Sequence, residues 1–154
     1  MTRLVAAVIL FCVLLPGCRP PAPETPPLDR EAFRSHLPER PFSEAVRVGD
    51  TYYFSGKLGV TEETLAMTSS RIQAETRNIM ENFADLFLEL GVGFDHVVKG
   101  TVYLADVADY GGMNQVYGEY FLSDPPAREC VGVGAGNLLN QALVEISFVA
   151  VVPD

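Results

Sequence analysis

Two long apolar runs, residues 97–105 and 142–152, constrain the fold more than any other feature of this sequence. Both are rich in β-branched and aromatic residues, which indicates strands. Shorter runs of the same kind occupy residues 42–48, 51–55 and 127–133. A sheet of such strands must bury at least one face, so the segments between the runs have to supply a second layer.

Helical periodicity appears in two of those segments. The first helix is predicted to begin at Thr68, Ser69 or Ser70, each a suitable N-cap, and to end at Gly91. Its apolar positions recur at helical spacing: Ile72, Ile79, Met80, Phe83, Phe87 and Leu90. The second helix, capped by Asp106, is shorter and runs to about residue 121.

The predicted order is therefore β-β-α-β-α-β-β, an α+β fold with two helices on one face of a single sheet. Two helices cannot cover both faces of such a sheet. The uncovered face is expected to pack against other copies of the chain, because a large exposed apolar surface is rare on a monomer.

The N-terminal residues have the pattern of an export signal. Residues 4–15 form an apolar run that is short for a membrane span and suits the core of a signal peptide. The run ends in Leu15-Pro16-Gly17-Cys18, which resembles a bacterial lipobox, so residues 1–18 are predicted to be a signal peptide and Cys18 a lipid attachment site. The protein would then be an exported lipoprotein anchored in the bacterial cell envelope. An uncleaved anchor or an ordinary secretory signal remain the alternatives.

Five prolines between residues 19 and 29 favour an extended tether. Residues 30–40 are charged and compatible with a short helix or an extended arm, and the globular domain is predicted to span residues 41–154. Loss of Cys12 with the signal and lipidation of Cys18 would leave Cys130 alone, so no intramolecular disulfide is expected.

Charge and histidine content exclude several functions. The formal net charge is −9 and no Lys/Arg cluster exists, which argues against nucleic acid as a partner. The two histidines, His36 and His96, are distant in sequence and have no paired cysteines, so neither a metal site nor a cofactor is predicted.

Arg128 and Glu145 are the two charged residues that stand out within predicted strands. From residue 48 onward the chain has fifteen acidic and five basic residues, and Arg128 is the last of the five. Charges in such strands are either paired or functional. A hairpin between the last two strands would hold Arg128 and Glu145 roughly 13 Å apart, so a direct ion pair is not expected.

Several segments resemble the RidA/YjgF family of enamine/imine deaminases. The most specific are VVK-x-TVYL-x-D (residues 97–106), N-x-VY-x-E-[YF]-F (114–121), and PAR (126–128) followed by VEI (144–146). The resemblance covers residues 41–152 and implies a fold like that of the trimeric chorismate mutases. It also implies a homotrimer with ligand clefts between subunits.

The resemblance assigns roles to individual residues. Arg128 matches an arginine that grips a substrate carboxylate, which suits the planar fork of a guanidinium. Glu145 matches an acid that positions or activates water, and Cys130 a residue that contributes backbone to the cleft. Ser55, Asn114 and Tyr117 fall on recurring family positions where packing is as plausible as ligand contact, and Phe42 stands where Tyr is common.

Four departures alter the expected cleft wall. Lys57 and Glu44 each replace a usual Gln and could pair with one another, Ser147 replaces a usual second acid, and the loop before the last strand lacks its usual Pro. The first interpretation is a cofactor-free deaminase of small 2-imino acids. The alternatives are a lipid-anchored trimeric module that binds a small carboxylate or a protein, and a purely structural trimer.

Overall fold

One seven-stranded mixed sheet organises the residues that the computed structural model describes, 28–34 and 40–153. The strands lie in the order β1-β2-β3-β7-β5-β6, and β4 pairs with β7. All neighbours are antiparallel except β5 and β6. The strands are β1 (Arg30–Phe33), β2 (Ala45–Val48), β3 (Thr51–Phe54), β4 (Lys57–Leu58), β5 (Val97–Leu104), β6 (Ala127–Gly132) and β7 (Val144–Val151).

Both longer helices pack on the same face of this sheet. They are α2 (Arg71–Leu90) and α3 (Tyr110–Tyr117), and a short helix α1 (Glu62–Ala66) precedes them. Phe83 and Phe87 of α2 and Tyr117 of α3 all contact the ring of Phe148 on β7. Alternate residues of β7 are buried against these rings, as expected for a strand with one covered face.

The predicted helix ends are largely confirmed. Ser70 is the N-cap of α2, but its side chain makes no capping hydrogen bond, and its φ of 55° is left-handed. Gly91 is the left-handed C-cap with φ 68°. Asp106 accepts a hydrogen bond from the Ala108 amide, 2.9 Å away, and starts a 3₁₀ turn (Val107–Asp109) that leads into α3.

The predicted single sheet with helices on one face is confirmed, and the structure adds β1, β4 and α1 to the predicted elements. Strand β1 is a correction to the predicted domain start at residue 41. Its four residues pair with β2, so the sheet begins at Arg30. The backbone of an edge strand can form hydrogen bonds with the sheet even when its side chains are exposed. The charged residues of this segment therefore gave no apolar pattern from which a strand could be predicted.

The expected hairpin between the last two strands is wrong. β6 pairs with β5 in parallel, and β5 pairs with β7, so β5 lies between the two. The segment β5-α3-β6 is a crossover unit in which the helix carries the chain back across the sheet, and this connection requires parallel strands.

The predicted signal peptide (1–18), lipid attachment at Cys18 and most of the predicted tether lie outside the described residues. None of the helices within the described ranges is long and apolar enough to cross a membrane. Cys130 has a free thiol in the structure.

Candidate functional site

The sheet register divides the predicted site residues into two groups. Arg128 lies opposite Gly100 and thus on the same face as Phe148, which the helices cover. Glu145 lies opposite Tyr103, an odd number of residues away, and therefore points from the other face. Arg128 and Glu145 of one chain lie roughly 14 Å apart between Cα atoms, by strand rise and spacing, and on opposite faces.

Arg128 is held by aromatic residues of α3. Its guanidinium carbon lies 4.7 Å from the ring centroid of Tyr117 and 5.6 Å from that of Tyr110. Nη2 donates to the Tyr110 hydroxyl at 3.2 Å, and Nη1 lies 3.9 Å from the sulfur of Met113. The sequence analysis identified Tyr117 but missed Tyr110 and Met113. Met113 lies three residues after Tyr110 and four before Tyr117, so all three lie along one side of α3, and this spacing was the available signal.

No carboxylate pairs with Arg128 among residues 28–34 and 40–153. The prediction that Arg128 and Glu145 form no direct ion pair within one chain is therefore confirmed. Two aromatic faces and a hydroxyl fix the position of the cation and leave donor positions of its fork unused. A half-buried guanidinium in this state is ready to accept an anionic partner.

Burial and the charge of Arg128 shift the pKa values of the side chains around it. Burial raises the pKa of Tyr117 to about 12, against the opposing effect of Arg128. A hydrogen bond with Asn114, and then the charge of Arg128, lower the pKa of Tyr110. The expected role of Asn114 as a direct ligand contact stays a prediction.

Cys130 lies two residues after Arg128 on the same face, as strand alternation predicts. Burial raises the pKa of its thiol, with Arg128 opposing the shift. The thiol is therefore protonated at neutral pH and is a poor nucleophile. The expected contribution of the Cys130 backbone to a ligand cleft stays a prediction.

The second group surrounds a cavity of about 710 Å³ that contains Glu145. Phe42 and Ser55, both predicted site residues, line it as well. The cavity is large enough for a small organic ligand. Its remaining lining comes from the β2–β4 region, α2 and the loop before β7: Arg40, Glu44, Gly56, Lys57, Leu58, Val60, Asn82, Leu139 and Asn140.

Glu145 is a half-buried carboxylate with no hydrogen bond or ion pair within the described ranges. Its side chain occupies the space in front of Gly56, where any Cβ would collide with the carboxylate. Gly56 is therefore needed for this position of Glu145, and sequence reasoning missed it. An unpaired carboxylate at the wall of a cavity can accept a proton from water or from a ligand.

The possible pair between Lys57 and Glu44 is present, with Nζ and Oε2 3.4 Å apart. Both side chains are mostly buried at the cavity wall, and Lys57 Nζ also lies 5.5 Å from the ring centroid of Phe83. The hydroxyl of Ser55 donates a hydrogen bond to the Ser43 carbonyl at 2.7 Å, and Ser55 lines the cavity. The two charges of the Lys57–Glu44 pair neutralise each other, and the guanidinium carbon of the other cation of the lining, Arg40, lies 5.7 Å from the ring centroid of Phe42.

No group of three or more metal-ligating side chains occurs in the described part of the chain. The two residue groups can act together chemically only if Arg128 of one copy approaches the cavity of another. One copy would then supply the anion-binding cation and the other the proton acceptor.

Comparison with known proteins agrees with the fold described above. A family model described as Endoribonuclease L-PSP matches residues 33–152. A RutC family protein of Pyrococcus abyssi is 35% identical over 113 residues, 73% of this chain and 87% of that protein. The human 2-iminobutanoate/2-iminopropanoate deaminase is 35% identical over 111 residues, 72% of this chain and 80% of that protein. A YjgF family member from Neisseria meningitidis has a TM-score of 0.67 at 27% identity and covers 82% of this chain and 98% of its own.

Fold and site define a small α+β protein in which an unpaired guanidinium, that of Arg128, and an unpaired carboxylate, that of Glu145, lie apart on one sheet. The chain belongs to the RidA/YjgF family, because the family model spans most of its length and relatives above 30% identity cover nearly three quarters of it.

Proposed function

We propose that this protein is a deaminase that hydrolyses small 2-imino acids, and their enamine tautomers, to 2-keto acids and ammonia. The observation that carries the proposal is the unpaired guanidinium of Arg128 beside Tyr110 and Tyr117. A substrate carboxylate would receive two parallel hydrogen bonds from it, which fix both charge and orientation. The activity in the name of the human relative supports this choice.

In the proposed reaction Glu145 orients a water molecule toward the C=N carbon and accepts its proton. Addition gives a carbinolamine, whose nitrogen takes up a proton and leaves as ammonia while the C–O bond becomes a carbonyl. Imines already hydrolyse in water, so orientation and proton transfer suffice. The reaction as proposed needs no metal or organic cofactor.

The proposed site lies at the interface of a homotrimer. Support comes from the uncovered sheet face, where Tyr53, Tyr103 and Val131 are exposed. The register also places Arg128 and Glu145 on opposite faces, which suits a site completed by a neighbouring copy. Light scattering of the purified protein should give the mass of three chains in solution.

The direct test generates imino acids with an amino-acid oxidase and traps the remainder with semicarbazide. The wild type should lower semicarbazone formation in proportion to its concentration, and Glu145→Gln should not. Glu89→Gln is the matched control, because Glu89 is an exposed carboxylate on α2, away from the uncovered sheet face. A wild type with no effect on trapping would leave the alternative, a non-catalytic module that binds a small carboxylate. Calorimetry with a 2-keto acid then tests that alternative.

The family description mentions ribonuclease activity, and charge argues against it for this chain. A net charge of −9 disfavours a phosphate backbone, and the unpaired carboxylate of Glu145 would repel one at the cavity. RNA binding that weakens steeply with salt would contradict this part of the proposal.

We also propose that Cys18 is lipidated and holds the protein at the membrane of a bacterial cell envelope. The support is the sequence Leu15-Pro16-Gly17-Cys18 after a short apolar run. Cys18→Ser should release the protein into the soluble exported fraction or leave it unprocessed. Unchanged size and unchanged membrane association of that variant would overturn the lipidation.

A further inference from the structure

A buried ion pair connects helix α2 to the loop that precedes β7. Glu75 is fully buried, and one of its oxygens, Oε1, lies 2.7 Å from Nε of Arg71. Neither of these two atoms has a hydrogen bond of acceptable geometry, so the contact is an ion pair. A buried charge pair of this kind is weak evidence for stability alone, because desolvation offsets most of the attraction.

Both members of the pair also hold the backbone of the loop. The other oxygen of Glu75, Oε2, accepts a hydrogen bond from the Leu143 amide at 2.8 Å. Arg71 donates from Nη2 to the Gln141 carbonyl at 2.6 Å. The Leu143 carbonyl in turn accepts from the Ala105 amide at 2.9 Å, so this part of the loop is fixed from two sides.

The loop before β7 that Arg71 and Glu75 contact has an unfavourable backbone conformation. Asn140 and Gln141 have φ values of 55° and 59°, in the left-handed region, which asparagine adopts more readily than most residues and which glutamine rarely adopts. Such a conformation persists only where surrounding contacts enforce it, and here the contacts come from Arg71 and Glu75. Left-handed backbone at two successive residues turns the chain so that Leu139 and Asn140 line the cavity.

Arg71 lies where a cation is unfavourable for the helix, which indicates that its contacts serve a purpose other than helix stability. A cation in the first turn of a helix is opposed by the helix dipole, which favours acids there. Arg71 is the first residue of α2, and two of its groups reach Glu75 and Gln141. The same helix holds the opposite cavity wall, since Asn78 donates to the Gly59 carbonyl at 2.9 Å.

We propose that the Arg71–Glu75 pair is a positioning device that sets the shape of the cavity wall at Leu139 and Asn140 and thereby the size of the side chain that the site accepts. The size selection rests on the proposed function. Arg71 and Glu75 touch no substrate in this scheme and act through the loop.

Arg71→Lys is the sharpest variant, because a lysine keeps the charge beside Glu75 but cannot bridge to the Gln141 carbonyl at the same time. Amide exchange of residues 141–143 should become faster than in the wild type. The ratio of kcat/KM for the imino acids derived from leucine and alanine should change by about tenfold, as expected when a pocket wall moves by a methylene or two. Glu75→Gln, which keeps an acceptor for the Leu143 amide, should have a smaller effect.

Arg77→Lys is the matched control. Arg77 lies on the same helix and makes a two-point ion pair with Glu119 at 2.8 and 2.9 Å, away from the loop. Arg77→Lys should change neither the amide exchange of residues 141–143 nor the ratio of kcat/KM for the two imino acids. Unchanged exchange in Arg71→Lys would overturn the positioning role, and changed exchange with an unchanged ratio would overturn the size selection. If the wild type hydrolyses neither imino acid, the proposed function fails and size selection with it, while exchange still decides the positioning role.

Discussion

The side chains of Arg128 and Glu145 point from opposite faces of one sheet, and they keep their charges available in different ways. Arg128 is surrounded by tyrosine rings and a thioether, which position a cation without neutralising it. The Glu145 carboxylate fits against residue 56 because that residue is glycine, and its charged neighbours Glu44 and Lys57 neutralise each other. Each face thus keeps one charge of opposite sign without a partner in the described chain.

Unpaired charges in partly buried places are unfavourable, so their presence on both faces needs a reason outside the single chain. One reason is a ligand bound between them. The other is a structural ion pair between Arg128 of one copy and Glu145 of the next. The following experiments separate these two explanations.

The largest effect is expected from Arg128→Ala. Loss of a two-point contact with a carboxylate should lower imine hydrolysis by roughly tenfold to several hundredfold. Arg128→Lys should restore little, because an ammonium lacks the planar fork. Thermal unfolding should change by only about 1 kcal/mol, since only ring contacts are lost within the chain. Arg77→Ala removes an exposed arginine and serves as control; a large loss of stability or of the trimer in Arg128→Ala alone would favour the structural ion pair.

Mixing two inactive variants tests whether the site is divided between copies. When Arg128→Ala and Glu145→Gln chains are unfolded and refolded together, about a quarter of the interfaces should combine an intact Arg128 with an intact Glu145. Hydrolysis should therefore recover to about a quarter of the wild-type rate. Each variant refolded alone is the control. Absence of recovery in a mixture that forms trimers would place both residues' functions within one chain.

Local rules and the family resemblance together predicted most of both groups, and both failed where long-range strand pairing decides. Strand alternation placed Arg128 and Cys130 on one face, and helical spacing identified the core side of α2. The pairing of β6 with β5 was missed, because strand partners depend on the path of the chain through α3. Glu75 was missed although it lies three residues after Ile72 and four before Ile79, on the buried stripe, which is the signal for a charge with a buried role.

A charge on the uncovered face should break the proposed trimer and leave the helix-covered face intact. Val131→Lys places an ammonium among the exposed residues of that face, and its desolvation at an interface is unfavourable. Light scattering should show a shift from the mass of three chains toward one, with circular dichroism unchanged. Leu88→Lys, on an exposed position of α2, should keep the wild-type mass. A Val131→Lys protein that stays trimeric would mean that another surface forms the assembly.

The smallest effect concerns the covered face and appears only in alkali. Burial raises the pKa of Tyr117 to about 12 from a usual value of 10.0, so the folded state keeps a proton that the unfolded chain releases. Stability should therefore be unaffected below about pH 9 and fall as pH rises from 10 toward 12, by about 2–3 kcal/mol in total. Tyr117→Phe removes this loss, and its neutral-pH stability should not fall, because the buried Tyr117 hydroxyl has no hydrogen-bond partner within the described residues. Denaturant unfolding of both proteins between pH 8 and 11.5 gives the difference curve, in which other titrating groups cancel. If the difference in unfolding free energy between the two proteins does not change with pH, the phenol ionises equally in the folded and the unfolded chain. The surroundings of Arg128 would then be open to water.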